Sequence, residues 1–156
     1  MDTLAGRVCK ILLPVNVDYF FGSGSNISIC TLSSLDLLIK LSEMPVMSIL
    51  KVAGRLYSEN RGIDQMISFC MKNPQMRYIL LCGKDGKGHY PGNALISLIE
   101  NGVSLDGKIL GTIARYPFLC SSKNDIDNFT KQVSVIDLRE CLDENYISSI
   151  ALNLID

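Results

Sequence analysis

Several absences narrow what this chain can do. It has one histidine, His89, in 156 residues. Its six cysteines (Cys9, Cys30, Cys70, Cys82, Cys120 and Cys141) are scattered, with no C-x-x-C pair. A protein-only zinc site needs clustered thiolate and imidazole ligands, and this distribution excludes one. Cys30, Cys70 and Cys82 fall inside apolar periodic segments, where a free thiol acts as a small hydrophobe and a reducing compartment keeps it so. No apolar run reaches the ~18–20 residues a membrane-spanning helix needs. The opening MDTLAGRVCKILLPVN is broken by Pro14 and lacks the layout of a signal peptide, so a soluble, cytoplasmic protein without membrane insertion of its own is expected. Charge is also nearly balanced, with 15 Lys and Arg against 16 Asp and Glu, a net −1. Without a basic surface, electrostatic binding to nucleic acid is excluded.

What is present is an ordinary globular composition, 47% hydrophobic and 20% charged. Its length suits one domain over residues 1–156 with a core of its own. Two periodicities alternate along it. NISICT (26–31), VMSILKVAG (46–54), RYILLCG (77–83), KILGTIA (108–114) and VSVID (133–137) read as strands. Between them SSLDLLIKLSEM, the stretch from Asn60 to Met71, PGNALISLIENG and DIDNFTKQV read as helices, and residues 142–155 as a terminal amphipathic one. The first 25 residues are the least regular and read as a lead-in strand plus loop. Alternation of this kind predicts an α/β, Rossmann-like three-layer fold: a mainly parallel sheet of about five strands with helices on both faces.

GKDGKGHYPG (83–92) carries the lone histidine between the most apolar strand candidate and a helix. In a parallel α/β sheet such a loop lies at the carboxyl edge, where ligands bind. Gly83, Gly86 and Gly88 allow the backbone a close approach to one. Phosphate chemistry does not fit: Gly86-Lys87 lacks the P-loop spacing, and no strand–helix turn carries G-x-G-x-x-G. No nucleophile elbow supports a hydrolytic triad. Two readings of His89 stay open on these residues. It is an exposed loop histidine, or the single axial ligand of a metal already held in a macrocycle. His89-Tyr90-Pro91-Gly92 has the H-x-x-G spacing of many corrinoid-binding proteins.

A wider pattern adds to this. AGRLYSENRGIDQMI, NPQMRYILLCGKDGKGHYPGNALISLIENGV, KILGTIARYPF and FTKQVSVIDL, in that order, resemble the corrinoid-carrying A subunit of tetrahydromethanopterin S-methyltransferase. NISICTLSS resembles the same family's first strand and turn, and the resemblance spans residues 18–138. It implies a cobamide (cobalamin or a related corrinoid) whose cobalt has His89 as axial ligand and metal contact, the cofactor's own base being displaced. It implies a methyl carrier: cobalt takes a methyl group from methyl-tetrahydromethanopterin and passes it to coenzyme M, with partner methyltransferase subunits. A cobamide-binding module for storage, delivery or sensing is the alternative. Corrinoid proteins usually place an Asp two residues before the histidine to orient it; here Lys87 stands there, leaving a backbone carbonyl, water or Asp85 for the second ring nitrogen. Members of the family normally end in a hydrophobic anchor, whereas residues 142–156 read as a finished amphipathic helix, so a soluble homologue is expected.

The remaining candidates lie on the same edge. Gly88, Tyr90 and Gly92 belong to the histidine loop, Tyr90 covering a ring face or filling a core gap. Thr31, Leu32 and Ser33 end the first strand; Glu59 and Asn60 follow the second. Ser33 and Asn60 read as helix caps, with ligand contact as a second role. Glu59 reads as a partner for a corrin side amide or as a solvated first-turn carboxylate. Pro117 and Phe118, in a loop resembling the family's I-P-F, flank the corrin ring or pack the loop.

Overall fold

A computed structural model describes residues 18–155. In chain order it contains β1 (Tyr19–Phe21), β2 (Ile27–Cys30), α1 (Leu35–Ser42), a 3₁₀ turn (Pro45–Ser48) and β3 (Leu50–Gly54). There follow α2 (Arg61–Lys72), β4 (Tyr78–Gly83), α3 (Pro91–Asn101), α4 (Lys123–Gln132), β5 (Ser134–Arg139) and α5 (Glu144–Leu152). The five strands form one sheet in the order β1-β3-β2-β4-β5, parallel throughout except for β1 against β3.

Alternate side chains of each central strand feed opposite layers, as the period of two requires. Ile79 and Leu81 of β4 pack with Ile63, Ile67 and Cys70 of α2, Leu95 and Leu98 of α3, and Phe129 of α4. Leu80 and Cys82 point the other way, to Leu38 and Leu41 of α1 and Ile147 and Ala151 of α5. β4 is therefore buried on both faces, which is why it reads as an unbroken apolar run. The three-layer α/β expectation holds.

The strand inventory differs in one place. KILGTIA is not a strand: it touches its neighbours only through single bridges, Val103 to Ile109 and Lys108 to Phe118. Gly111 bends it with φ 76°, and Leu110 and Ile113 stay exposed while Ile109 alone is fully buried. With no free strand beside it among the described residues, its β-propensity is overridden by context. The fifth strand is β1, from the lead-in region, at the antiparallel edge. VMSILKVAG likewise begins as the 3₁₀ turn, because Pro45 starts a helical turn before the strand. Residues 1–17, including Cys9 and Pro14, lie outside the described residues.

Of the thiols described, Cys30, Cys70, Cys82, Cys120 and Cys141 are all unpaired. Burial pushes Cys30 and Cys70 up to about 12, and Cys82 higher still, so these three are inert at neutral pH.

From β2 the chain steps outward to β3, then crosses to β4 on the far side of β2. The direction of winding thus reverses between β2 and β4, which makes their carboxyl ends the topological switch point, where ligands bind in open α/β sheets.

Candidate functional site

The loops leaving β2 and β4 are tied together at that reversal. Ser33 donates its N–H and its hydroxyl to the Lys84 carbonyl (3.0 and 2.6 Å), and the Lys84 N–H donates to Ser34 Oγ at 2.9 Å. Ser33 does not cap α1; its hydroxyl serves this clamp instead. Gly83 makes the close approach possible. Its φ is +77°, and a Cβ there would fall 2.3 Å from the Thr31 carbonyl oxygen. Thr31 is fully buried, with its N–H bonded to the Gly54 carbonyl at 2.8 Å, and Leu32 is fully buried in the core at φ 53°. Both shape the strand end from beneath.

Within the histidine loop, Asp85 turns toward the chain rather than outward. Its Oδ1 accepts the N–H groups of Gly86 (3.0 Å) and Gly92 (2.8 Å), and its Oδ2 that of Asn93 (2.8 Å). A carboxylate on the free N–H groups opening α3 is stabilised by hydrogen bonds and by the helix dipole. Tyr90 adopts a left-handed φ of 44°, donates its N–H to the Gly86 carbonyl at 2.7 Å and lays its ring against the core. The loop is thus pinned at both ends, with Gly88 and His89 at its tip.

His89 does not bond Asp85. Its partner is Glu59, from the loop after β3: Nδ1 lies 3.0 Å from Oε2 and 3.3 Å from Oε1. Glu59 is only 1% exposed, whereas the His89 side chain is 57% exposed. The same carboxylate accepts the Tyr116 N–H at 2.9 Å. Burial works against its charge, but hydrogen bonds from its own N–H, from Tyr116 and from His89 outweigh this and hold the carboxyl below its ordinary range. The reading of Glu59 as solvated is therefore corrected. An ionised carboxylate only accepts, so Nδ1 carries the proton and, in the neutral ring, Nε2 keeps its lone pair.

Neighbouring residues lock this pair. Asn60 accepts the Arg61 N–H at 2.7 Å, at the head of α2 as expected, and donates Nδ2 to the Tyr116 carbonyl at 3.2 Å. Glu59 and Asn60 together grip both backbone groups of Tyr116. Asn93 Oδ1 accepts from Thr112 Oγ1 (2.7 Å) and from the Ile113 N–H (3.0 Å), holding the next part of that loop to α3. Pro117 is buried and gives its carbonyl to Ile109; Phe118 is exposed, with Lys108 Nζ 5.9 Å from its ring. Ile113 and Tyr116 are exposed at 66% and 60%.

His89, Glu59 and Asn60 thus come together, with Gly88, Tyr90 and Gly92 in the loop that carries the ring. Thr31, Leu32 and Pro117 support from below. Tyr116, Asn93 and Thr112 are positioning residues that the sequence did not single out, and Asp85, read there as one partner for the ring, holds the loop and the start of α3 instead. Among the described residues no three His, Cys, Asp or Glu side chains come together as a metal cluster. The arrangement offers one imidazole nitrogen, backed by a buried carboxylate, to an acceptor that brings its other ligands with it.

Residues 13–156 match the family model MtrA, described as the A subunit of tetrahydromethanopterin S-methyltransferase. The chain is 37% identical over 94 residues to the A subunit of that enzyme from Methanocaldococcus jannaschii, covering 59% of this chain and 39% of the relative. It is 31% identical over 138 residues to the A 1 subunit from Methanothermobacter thermautotrophicus, covering 86% and 56%. With the A subunit of the putative methyltransferase Mtx of Methanosarcina acetivorans it shares 32% identity over 126 residues, covering 80% and 60%. It spans between about two fifths and three fifths of these relatives' lengths. No helix among the described residues is long and apolar enough to cross a membrane. By the match over nearly its whole length, the chain belongs to the MtrA family, that of the tetrahydromethanopterin S-methyltransferase A subunit.

Proposed function

We propose that this protein binds a cobamide at the carboxyl edge of its sheet, with His89 Nε2 as axial ligand to cobalt, and serves as a methyl carrier between partner methyltransferase subunits. One observation carries the reading: the only histidine has its Nδ1 held by a buried carboxylate while the rest of the ring is exposed. Metal-binding histidines characteristically donate their second nitrogen to such a carboxylate, which fixes the tautomer and raises ligand basicity. Fit is further supported by the exposed Ile113, Tyr116 and Phe118 in the loop gripped by Glu59 and Asn60, apolar surface of the kind a corrin face covers.

When bound, cobalt supplies the centre that takes up and gives away the methyl group. The chain's own work is positional. Asp85 and the Ser33–Lys84 clamp set the loop, Glu59 keeps the proton on Nδ1, and Asn60 and Asn93 fix the 112–116 segment beside the ring. Relatives' names point to tetrahydromethanopterin as the methyl donor's carrier, and we extend that donor class, with a thiol acceptor, to this chain.

Cobinamide tests the reading, because it lacks the nucleotide base and any nitrogen on its cobalt must come from the protein. Aquacobinamide titrated into the protein is expected to bind with 1:1 stoichiometry and to show the visible absorption change of nitrogen ligation. His89→Ala should abolish that change. No uptake at micromolar protein, or the same spectrum with His89→Ala, would overturn the assignment. Uptake with ligation but no methyl transfer in the presence of partner subunits would point to storage or delivery instead.

A further inference from the structure

A second feature adjoins the site. The connection from β3 through α2 to β4 carries α2 over the central strands, so on that side of the sheet no helix among the described residues covers the outer pair β1 and β3. The result is a cavity of about 710 Å³ between α2 and the sheet's edge, a size that suits a small organic ligand. Val52 of β3 lies on its floor, Met66 and Phe69 of α2 form one wall, and Tyr19 and Phe21 of β1 the other. Tyr19 and Phe21 meet edge to face with centroids 5.2 Å apart and remain 57% and 64% exposed.

One end of the cavity lies at the carboxyl edge of the sheet, where Arg55, Tyr57 and Ser58 follow β3 and Arg61 opens α2. Ser58 immediately precedes Glu59, so this mouth adjoins the carboxylate that holds His89. The mouth is cationic. Arg55 stacks its guanidinium 4.2 Å over the Tyr57 ring and reaches the Ser33 carbonyl with Nη2 only at 3.4 Å, while its buried Nε has no acceptor among the described residues. Arg61 is exposed, and neither guanidinium forms an ion pair with a carboxylate among the described residues. Asp18, the acidic residue at the same mouth, accepts the Tyr57 hydroxyl at 2.8 Å. Two guanidiniums at the entrance of an apolar slot match a ligand with an aromatic body and a phosphate.

A cobamide carries such a group. With His89 as axial ligand the cofactor's own base leaves cobalt, and that base, an aromatic heterocycle joined to the corrin through a ribose and a phosphodiester, needs a place of its own. We infer that the cavity between β1–β3 and α2 houses this nucleotide tail, with Phe21, Met66 and Phe69 facing the base and Arg55 and Arg61 the phosphodiester. Aromatic and thioether side chains pack well against a flat heterocycle. A guanidinium fork suits phosphate oxygens. The inference rests on the cobamide reading and adds to it the residues by which the chain discriminates a complete cobamide from one without its tail.

Two ligands separate the tail from the corrin: aquacobalamin carries the nucleotide, and aquacobinamide lacks it. Each is titrated into the full chain and into two variants, with visible absorption as the readout. Arg61→Ala removes an exposed side chain at the mouth, and Met66→Trp fills the slot behind it. Each variant is expected to weaken cobalamin binding by at least about tenfold, the order expected for one lost hydrogen bond to a charged group, and to leave cobinamide binding unchanged. A ratio of the two affinities that stays at the wild-type value in both variants, whether neither ligand is affected or both are affected alike, would overturn the inference and leave the cobamide reading standing. Wild-type protein that takes up neither ligand would overturn the cobamide reading itself, and this inference with it.

Discussion

Replacing Glu59 by glutamine changes one atom of the side chain and separates the site's proposed chemistry from its architecture. In Glu59→Gln the new amide oxygen can still accept the Tyr116 N–H, which in the native protein sits 2.9 Å from Oε1. The new amide nitrogen then faces His89 Nδ1, where Oε2 stood at 3.0 Å. An amide nitrogen only donates, so Nδ1 must become the acceptor and the proton moves to Nε2. The variant therefore holds its histidine in the tautomer that cannot ligate through Nε2. Loss of such a carboxylate partner costs about 10–100-fold in metal affinity, or about 1.4–2.8 kcal/mol. Two measurements check this. Nitrogen-15 NMR of the single imidazole, recorded at about pH 8 where the free ring is neutral, should show the Nδ1–H tautomer in the wild type and Nε2–H in the variant. Cobinamide titration should show the affinity loss with the thermal unfolding curve shifted only modestly. A wild-type ring already in the Nε2–H form, or equal cobinamide affinity in both proteins, would refute the reasoning.

Three further perturbations have defined outcomes. Asp85→Ala removes the acceptor for the Gly86, Gly92 and Asn93 N–H groups. It should cost about 1–2 kcal/mol in urea unfolding, with faster amide exchange at Gly92 and Asn93. Gly83→Ala places a Cβ 2.3 Å from the Thr31 carbonyl at a φ of +77°. A loss of about 2 kcal/mol or more is expected from strain at such a position, read as a lower midpoint of chemical unfolding. Acid should also reveal Glu59, whose carboxyl is held below its ordinary range in the fold. Its unfolded form protonates first, so its contribution is complete above about pH 4.3 and falls away as pH drops through the lower folded value. The unfolding free energy of the wild type should therefore decline more steeply below that pH than that of Glu59→Gln.

How much of this could be read from residues alone varies with the kind of contact. RYILLCG is apolar on both faces, and that is enough to make it a central strand and to put GKDGKGHYPG on the ligand edge. Helix starts were legible in part: Asn60 sits where a free N–H needs an acceptor and provides one, whereas Ser33, read the same way, gives its hydroxyl to the Lys84 carbonyl. KILGTIA has the composition of a strand, but composition does not show which segments lie beside it, and those are Val103 and Phe118, met through single bridges, rather than a strand of the sheet. The His89–Glu59 pair was out of reach for a related reason. The two residues are 30 apart in sequence, and their loops follow β4 and β3, the two strands that flank β2. Adjacent strands lie about 4.8 Å apart, so the two strand ends are about 10 Å from each other. Only the strand order tells that a glutamate side chain and an imidazole span that gap.

The central claim is that His89 binds cobalt through its free nitrogen, and one spectrum tests it most directly. Cob(II)inamide is mixed with protein carrying nitrogen-15 only in histidine, and its electron paramagnetic resonance is compared with that of unlabelled protein. Because His89 is the only histidine, a ligand nitrogen seen in this way can belong to no other imidazole. The account predicts nitrogen superhyperfine splitting that changes from triplets to doublets on labelling and vanishes in His89→Ala. Triplets that persist in the labelled protein, or a spectrum without nitrogen splitting, would contradict it.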